Sequence, residues 1–186
     1  MYKNILIPTD GSELAAKAIE QGVLFAKEIG AKITAMTVTE PFHLLSVAPS
    51  QLEYTPIEYK KHTEAHAEKV LGTVTAAAEL AGVTCETLHV EHEQVYQAII
   101  DAASARRCDL IVMTSHGRRG VSAVVLGSET VKVLTHSSIP VLVYRRARPS
   151  PFTASFCVLD GARHLQARPA PNFKNQTSRL SIVSWR

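Results

Sequence analysis

Cysteine and tryptophan are scarce: the 186 residues hold three Cys and one Trp. Cys85, Cys108 and Cys157 are odd in number and far apart. That excludes a disulfide framework and any paired-cysteine metal site, and it points to a reducing compartment, the cytoplasm. No apolar run approaches the roughly 20 residues needed to cross a bilayer. The N-terminal Met1-Tyr2-Lys3-Asn4 leads straight into a strand-like run, without the layout of a signal peptide. A Walker-type Gly-Lys-Ser/Thr is missing, and so is any Ser-His-Asp arrangement suggested by spacing. His62 and His66 lie four apart with Glu64 between them, but a metalloprotease helix places Glu directly after its first His. Those histidines read as a solvated helix face.

Excess charge is also lacking, with a formal net of +3. The balance is uneven along the chain. Residues 145–186 carry seven Arg and one Lys against one Asp, a net +7, which leaves residues 1–144 with 12 basic and 16 acidic groups, a net −4. The basic pI therefore belongs to the tail, and it gives no reason to expect specific nucleic-acid binding by the compact part.

What is present is a hydrophobic fraction of 46%, enough for one domain with a proper core. Residues 3–8 form a short apolar run ending in Thr9-Asp10-Gly11-Ser12, a buried strand with a turn at its carboxyl end. Ser12 caps a helix over 13–29, with apolar residues at helical spacing and Gly30 as its stop. A second strand spans 32–38, and 39–54 is a long loop. Thr55-Pro56-Ile57-Glu58 is a capping box with proline at the first helical position, opening a long helix that runs to Ala81. Residues 83–90 are a weaker, partly polar strand. Residues 93–106 are a helix, 109–113 a central strand, 129–136 a final helix and 139–144 the last strand. Strict alternation of strand and helix predicts a parallel sheet with helices on both faces. Beyond Tyr144 the chain turns basic and proline-containing, so the tail is expected to be mostly disordered.

The stretch that organises the rest is Met113-Thr114-Ser115-His116-Gly117-Arg118-Arg119-Gly120, continuing to Gly127-Ser128. It joins a strand to the start of a helix through small residues. Glycines let the backbone approach a ligand, and the first N–H groups of a helix have no intrahelical partner, so this order suits an anionic phosphate. Ligands on doubly wound sheets sit at the carboxyl ends of strands where the strand order reverses. If the first and fourth strands are neighbours, the 9–12 turn and this loop face one crevice.

These residues together resemble the universal stress protein family. The resemblance rests on Asn4-Ile5-Leu6-Ile7-Pro8-Thr9-Asp10-Gly11-Ser12, a second strand ending in Val38, Ser115-His116-Gly117-Arg118-Arg119-Gly120 with Gly127-Ser128, and the final Ile139-Pro140-Val141-Leu142-Val143. It covers residues 1 to about 145 and leaves 146–186 as an extension. It implies an α/β, Rossmann-like domain with a five-stranded parallel sheet in the order 3-2-1-4-5. It further implies a cytoplasmic homodimer and, in one branch, bound ATP. That branch is marked by a glycine, two residues, a second glycine, nine residues, then Gly-Ser or Gly-Thr. Here Thr114 stands at the first position, Gly117 at the second, and Gly127-Ser128 closes the motif.

By the same resemblance, Asp10 approaches the ribose or a bound Mg²⁺, and Pro8 and Thr9 wall the pocket. Val38 meets the adenine through its backbone, and Met113 and Thr114 lie under the ribose. Gly117, Gly127, Ser128 and Glu129 offer backbone N–H groups to the phosphates, with the Ser128 hydroxyl adding a contact. His116 and Arg118 either reach phosphates or serve the loop, and Gly120 is there for backbone geometry. No metal ligand set and no catalytic residue is assigned, since no base partners His116. In the implied order the last strand is an apolar edge, predicted to pair with a second copy; the alternative is that the tail folds back over it. The functional expectation is an ATP-binding stress-response sensor or switch. The alternatives are a dimeric interaction module that binds no nucleotide, and a weak ATPase or phosphotransferase.

Overall fold

A computed structural model describes residues 2–42, 55–115, 126–145 and the backbone of 179–183. The elements run β1 (Asn4–Pro8), α1 (Glu13–Ile29), β2 (Lys32–Thr39), α2 (Pro56–Ala81), β3 (Cys85–Glu91), α3 (Val95–Ala105), β4 (Leu110–Thr114), α4 (Ser128–His136), β5 (Val141–Arg145) and β6 (Arg179–Val183). The sheet order is β3-β2-β1-β4-β5-β6. The first five strands are parallel, in the expected order 3-2-1-4-5.

The middle strands are mostly apolar because both faces are covered, with Asn4, Thr34 and Thr37 as buried polar exceptions. Ile5 and Ile7 point to one face and Leu6 to the other, as the pleat demands. The first face packs Ile33, Ala35, Leu110 and Val112 under Ile19 and Val23 of α1 and Leu71 and Val74 of α2. The second packs Met36, Ile111, Met113 and Val143 under Ile99 and Ala103 of α3 and Val133 of α4. Each large side chain buried this way contributes on the order of 1.5–3 kcal/mol. Gly22 lets α1 close on the sheet: a Cβ there would lie 2.8 Å from Ile7 Cδ1.

Helix ends follow their local signals. Ser12 Oγ accepts from the Ala15 N–H, Thr55 and Glu58 form the full capping box, and Gly30 and Gly82 end α1 and α2 in left-handed conformation. Strand starts depart from expectation. β3 begins at Cys85 rather than at 83, and β5 at Val141 rather than at 139. The second shift has a visible cause. Ser137 Oγ accepts from the Ile139 N–H at 3.0 Å and donates to the Ile139 carbonyl at 2.9 Å, holding Ile139 in a local turn.

One expectation, that β5 is an edge, is corrected by β6. Within 146–186, residues Arg179–Val183 form a strand. They pair antiparallel along the whole of β5, from Val141↔Val183 to Arg145↔Arg179. β5 is therefore not the edge of the sheet. An apolar strand with unpaired N–H and C=O groups is costly to leave open, and here the same chain closes it.

Candidate functional site

The β1–β4 adjacency is realised: Ile5 pairs with Leu110 and Leu6 with Ile111. Chain leaving β1 enters α1 on one face, and chain leaving β4 reaches α4 on the other. The sheet thus changes winding direction between these strands, and their carboxyl ends bound one crevice.

On the β1 side, the turn is set by its own polar groups. The Thr9 N–H donates to the Met36 carbonyl at 2.8 Å, prolonging the sheet by one bond. Asp10 Oδ1 accepts from the Ser12 N–H at 3.0 Å, and Thr9 Oγ1 from the Gly11 N–H at 3.2 Å. Gly11 takes φ of 75°, which a side chain disfavours. Pro8 and Asp10 are half-buried and Thr9 is buried.

β2 contributes through register. Met36 turns its carbonyl towards β1, and Thr39 turns its own towards His92 on the β3 side. Backbone groups alternate along a parallel strand, so Val38 directs its N–H and C=O to the β1 side, beyond Thr9. Val38 thereby turns its backbone groups towards the β1 side of the sheet.

On the β4 side, Met113 is buried and Thr114 half-buried. Arg107 is the one non-glycine with positive φ among the described residues, so Thr114 sits in ordinary strand conformation and its Cβ costs no backbone strain. The Thr114 carbonyl accepts from Thr130 Oγ1 at 2.9 Å, and the Ser115 N–H donates to the Tyr144 carbonyl at 2.8 Å. The first bond ties the first turn of α4 to the end of β4, and the second ties that end to β5.

One expected donor is already used. The Gly127 N–H donates to the Ser115 carbonyl at 2.7 Å, because Gly127 is the N-cap residue and lies back against β4. The Val131 N–H is the first to bond within the helix, to the Gly127 carbonyl. The first-turn N–H groups of Ser128, Glu129 and Thr130 have no intrahelical acceptor. Ser128 is exposed and Glu129 half-buried.

Glu129 has a second role that spacing along the chain hides. Its Oε2 accepts from the Tyr96 N–H at 2.9 Å, at the start of α3, where the N-cap residue Gln94 makes no side-chain cap. Its Oε1 lies 2.8 Å from Lys132 Nζ. That hydrogen bond and charge raise the Lys132 pKa above the usual lysine range. Lys132 also stands 5.3 Å over the Tyr96 ring, and His136 lies against the same ring. The carboxylate is thus oriented towards one helix start and a lysine. Tyr96 and Lys132 carry no motif, and only the fold brings them here.

His116, Gly117, Arg118 and Gly120 lie outside the described residues, as does Arg119. His62 and His66 are on α2. Among the described residues, no group of three or more His, Cys, Asp or Glu is placed to hold a metal ion. No described helix is long and apolar enough to cross a membrane.

With this geometry established, comparison with known proteins is informative. A model of the universal stress protein family matches residues 1–145. A universal stress protein of Methanocaldococcus jannaschii is 30% identical over 148 residues, spanning 80% of this chain and 85% of that one. The structure of another Methanocaldococcus jannaschii universal stress protein superposes with a TM-score of 0.66 at 26% identity, covering 81% of this chain and 99% of that one. More distant structures share the fold. One is a universal stress protein in complex with cAMP, with a TM-score of 0.57 at 22% identity over 76% of this chain and 95% of that one. Another is from Archaeoglobus fulgidus, in complex with dAMP, with a TM-score of 0.53 at 17% identity over 76% and 97% of the two chains.

Proposed function

Because the chain belongs to the universal stress protein family, we propose that it binds an adenine nucleotide, ATP with Mg²⁺, and acts in the cytoplasm as a nucleotide-dependent stress-response sensor or switch. The observation that carries this reading is the crevice itself. Two polar segments more than a hundred residues apart meet where the sheet reverses its winding, one bearing Asp10 and the other the start of α4. Two proteins of the same fold are described in complex with adenine nucleotides, which supports the same ligand class.

In this reading Val38 meets the base through its backbone, and Asp10 takes the ribose or the metal. Pro8, Thr9, Met113 and Thr114 line the floor. The N–H groups of Ser128 and Glu129, with Thr130, receive phosphate oxygens at the positive end of the helix dipole. Gly127 holds the helix against β4 instead of donating to the ligand. His116, Gly117, Arg118 and Gly120 belong to the proposed site through the family motif. Asp10 would be the protein's carboxylate on a Mg²⁺ held chiefly by the nucleotide's phosphates. Glu129 would repel phosphate if free, and its pairing with Lys132 and the Tyr96 N–H offsets that charge.

Thermal unfolding with and without ATP and Mg²⁺ tests the reading. Saturating nucleotide should raise the melting temperature by on the order of 5 °C. An unchanged transition at millimolar ATP would favour the second reading, a partner-binding module without nucleotide. One observation already leans that way: the Gly127 N–H is committed to Ser115. Gly117→Val should remove the ATP response while leaving the ligand-free transition in place.

A further inference from the structure

The extension beyond residue 145 lies outside the family match, yet five of its residues complete the sheet. The register is gapless: Val141, Leu142, Val143, Tyr144 and Arg145 each face a residue of β6. No position of β5 is left for another strand on that side.

The direction of β6 is informative. The other five strands run parallel, and β6 alone among the described strands runs against its neighbour. Two copies of one chain brought edge to edge about a two-fold axis would align β5 with β5 antiparallel, because the axis reverses the strand. β6 therefore offers β5 the same polarity that a second copy would offer. A four-residue apolar sequence, Val141-Leu142-Val143-Tyr144, makes the uncovered edge self-complementary in composition as well.

We propose that β6 is a built-in competitor for a self-association edge. With β6 seated, the chain is monomeric through β5. With β6 displaced, a second copy of this chain takes its place by the same backbone pairing. Both arrangements satisfy the same N–H and C=O groups of β5, so they exclude each other. Pairing within one chain does not depend on concentration, whereas pairing between copies does. The balance is thus set by the strength of β6 seating and by the amount of protein.

The test uses the full chain carrying Ser181→Pro and Ile182→Pro together. Adjacent residues of a strand turn their N–H groups to opposite sides, so one of the two prolines must remove a bond to β5. Sedimentation velocity over about a hundredfold range of concentration reads the outcome. The native chain should stay at its single-chain mass of 20.3 kDa. The double variant should move to twice that mass as concentration rises. A native chain that is already dimeric, or a variant that stays monomeric, overturns the proposal. Hydrogen exchange on the native chain provides a measurement that needs no variant. The amides of Arg179–Val183 that face β5 should be protected equally at low and high concentration. Protection that is absent, or that grows with concentration, also overturns it.

Discussion

Asn4 is a buried polar residue at the start of the central strand, and its side chain is fully engaged on two sides. Its Nδ2 donates to the Arg106 carbonyl at 2.9 Å, and its Oδ1 accepts from Thr34 Oγ1 at 3.2 Å. Asp109 accepts from the N–H groups of Lys3 and Asn4 alongside. Asn4→Ala should lower stability by about 1–3 kcal/mol, because Thr34 Oγ1 stays buried without that bond. Urea unfolding would register this as a lower midpoint at unchanged slope. Cys108 is buried, and burial pushes its thiol above the ordinary range, so it should resist alkylation at neutral pH until the chain unfolds. Peptide mass mapping before and after denaturation checks this. Glu86 accepts a hydrogen bond from Lys32 Nζ, which holds its carboxyl below the usual range. A carboxylate with a depressed folded pKa stabilises above its unfolded pKa, and that gain is lost as pH falls through the folded value. The melting-temperature gap between the native chain and Glu86→Gln should therefore close in acid. At this scale the sequence was legible where a residue acts on its near neighbours, as Ser12 and Asp10 do. It was silent on Glu129, whose carboxylate caps a helix 33 positions back along the chain.

The elements themselves were legible where their ends carry a local signal. Ser12, Gly30, Thr55 and Gly82 each mark a boundary that the structure keeps. Thr55→Ala should cost roughly 1 kcal/mol of stability, since the capping box loses its hydroxyl acceptor. Gly22→Val tests the helix–sheet contact, not a helix end. Any Cβ at this position already meets Ile7 Cδ1, so a branched side chain should cost on the order of 1–3 kcal/mol by overpacking. Chemical denaturation measures both. Strand starts were less legible, because a strand is defined by its partner: the turn at Ser137 decides that β5 opens at Val141. β6 was missed for the same reason, as five residues without a sustained period become a strand only against β5.

The described residues form a sheet of five parallel strands and an antiparallel sixth, covered by helices on both faces; the layer pattern followed from alternation, while the order of the first five strands followed from family likeness. Residue patterning reports which faces are apolar but not which strands are neighbours. The fold also separates two surfaces. β6 lies beyond β5, on the far side from the β1–β4 crevice. The Ser181→Pro, Ile182→Pro chain should accordingly keep the same ATP-induced rise in melting temperature as the native chain.

The pairing of Ile5 with Leu110 and Leu6 with Ile111 has a bearing on biosynthesis. β1 is a central strand that precedes both of its neighbours in the chain, so one of its flanks stays open until the codons for β4 have been read. At about 5–20 residues per second, that exposure lasts for seconds. The nascent chain carries a sticky, half-satisfied ribbon for that interval, and chaperones able to hold such ribbons are its natural company before the domain closes.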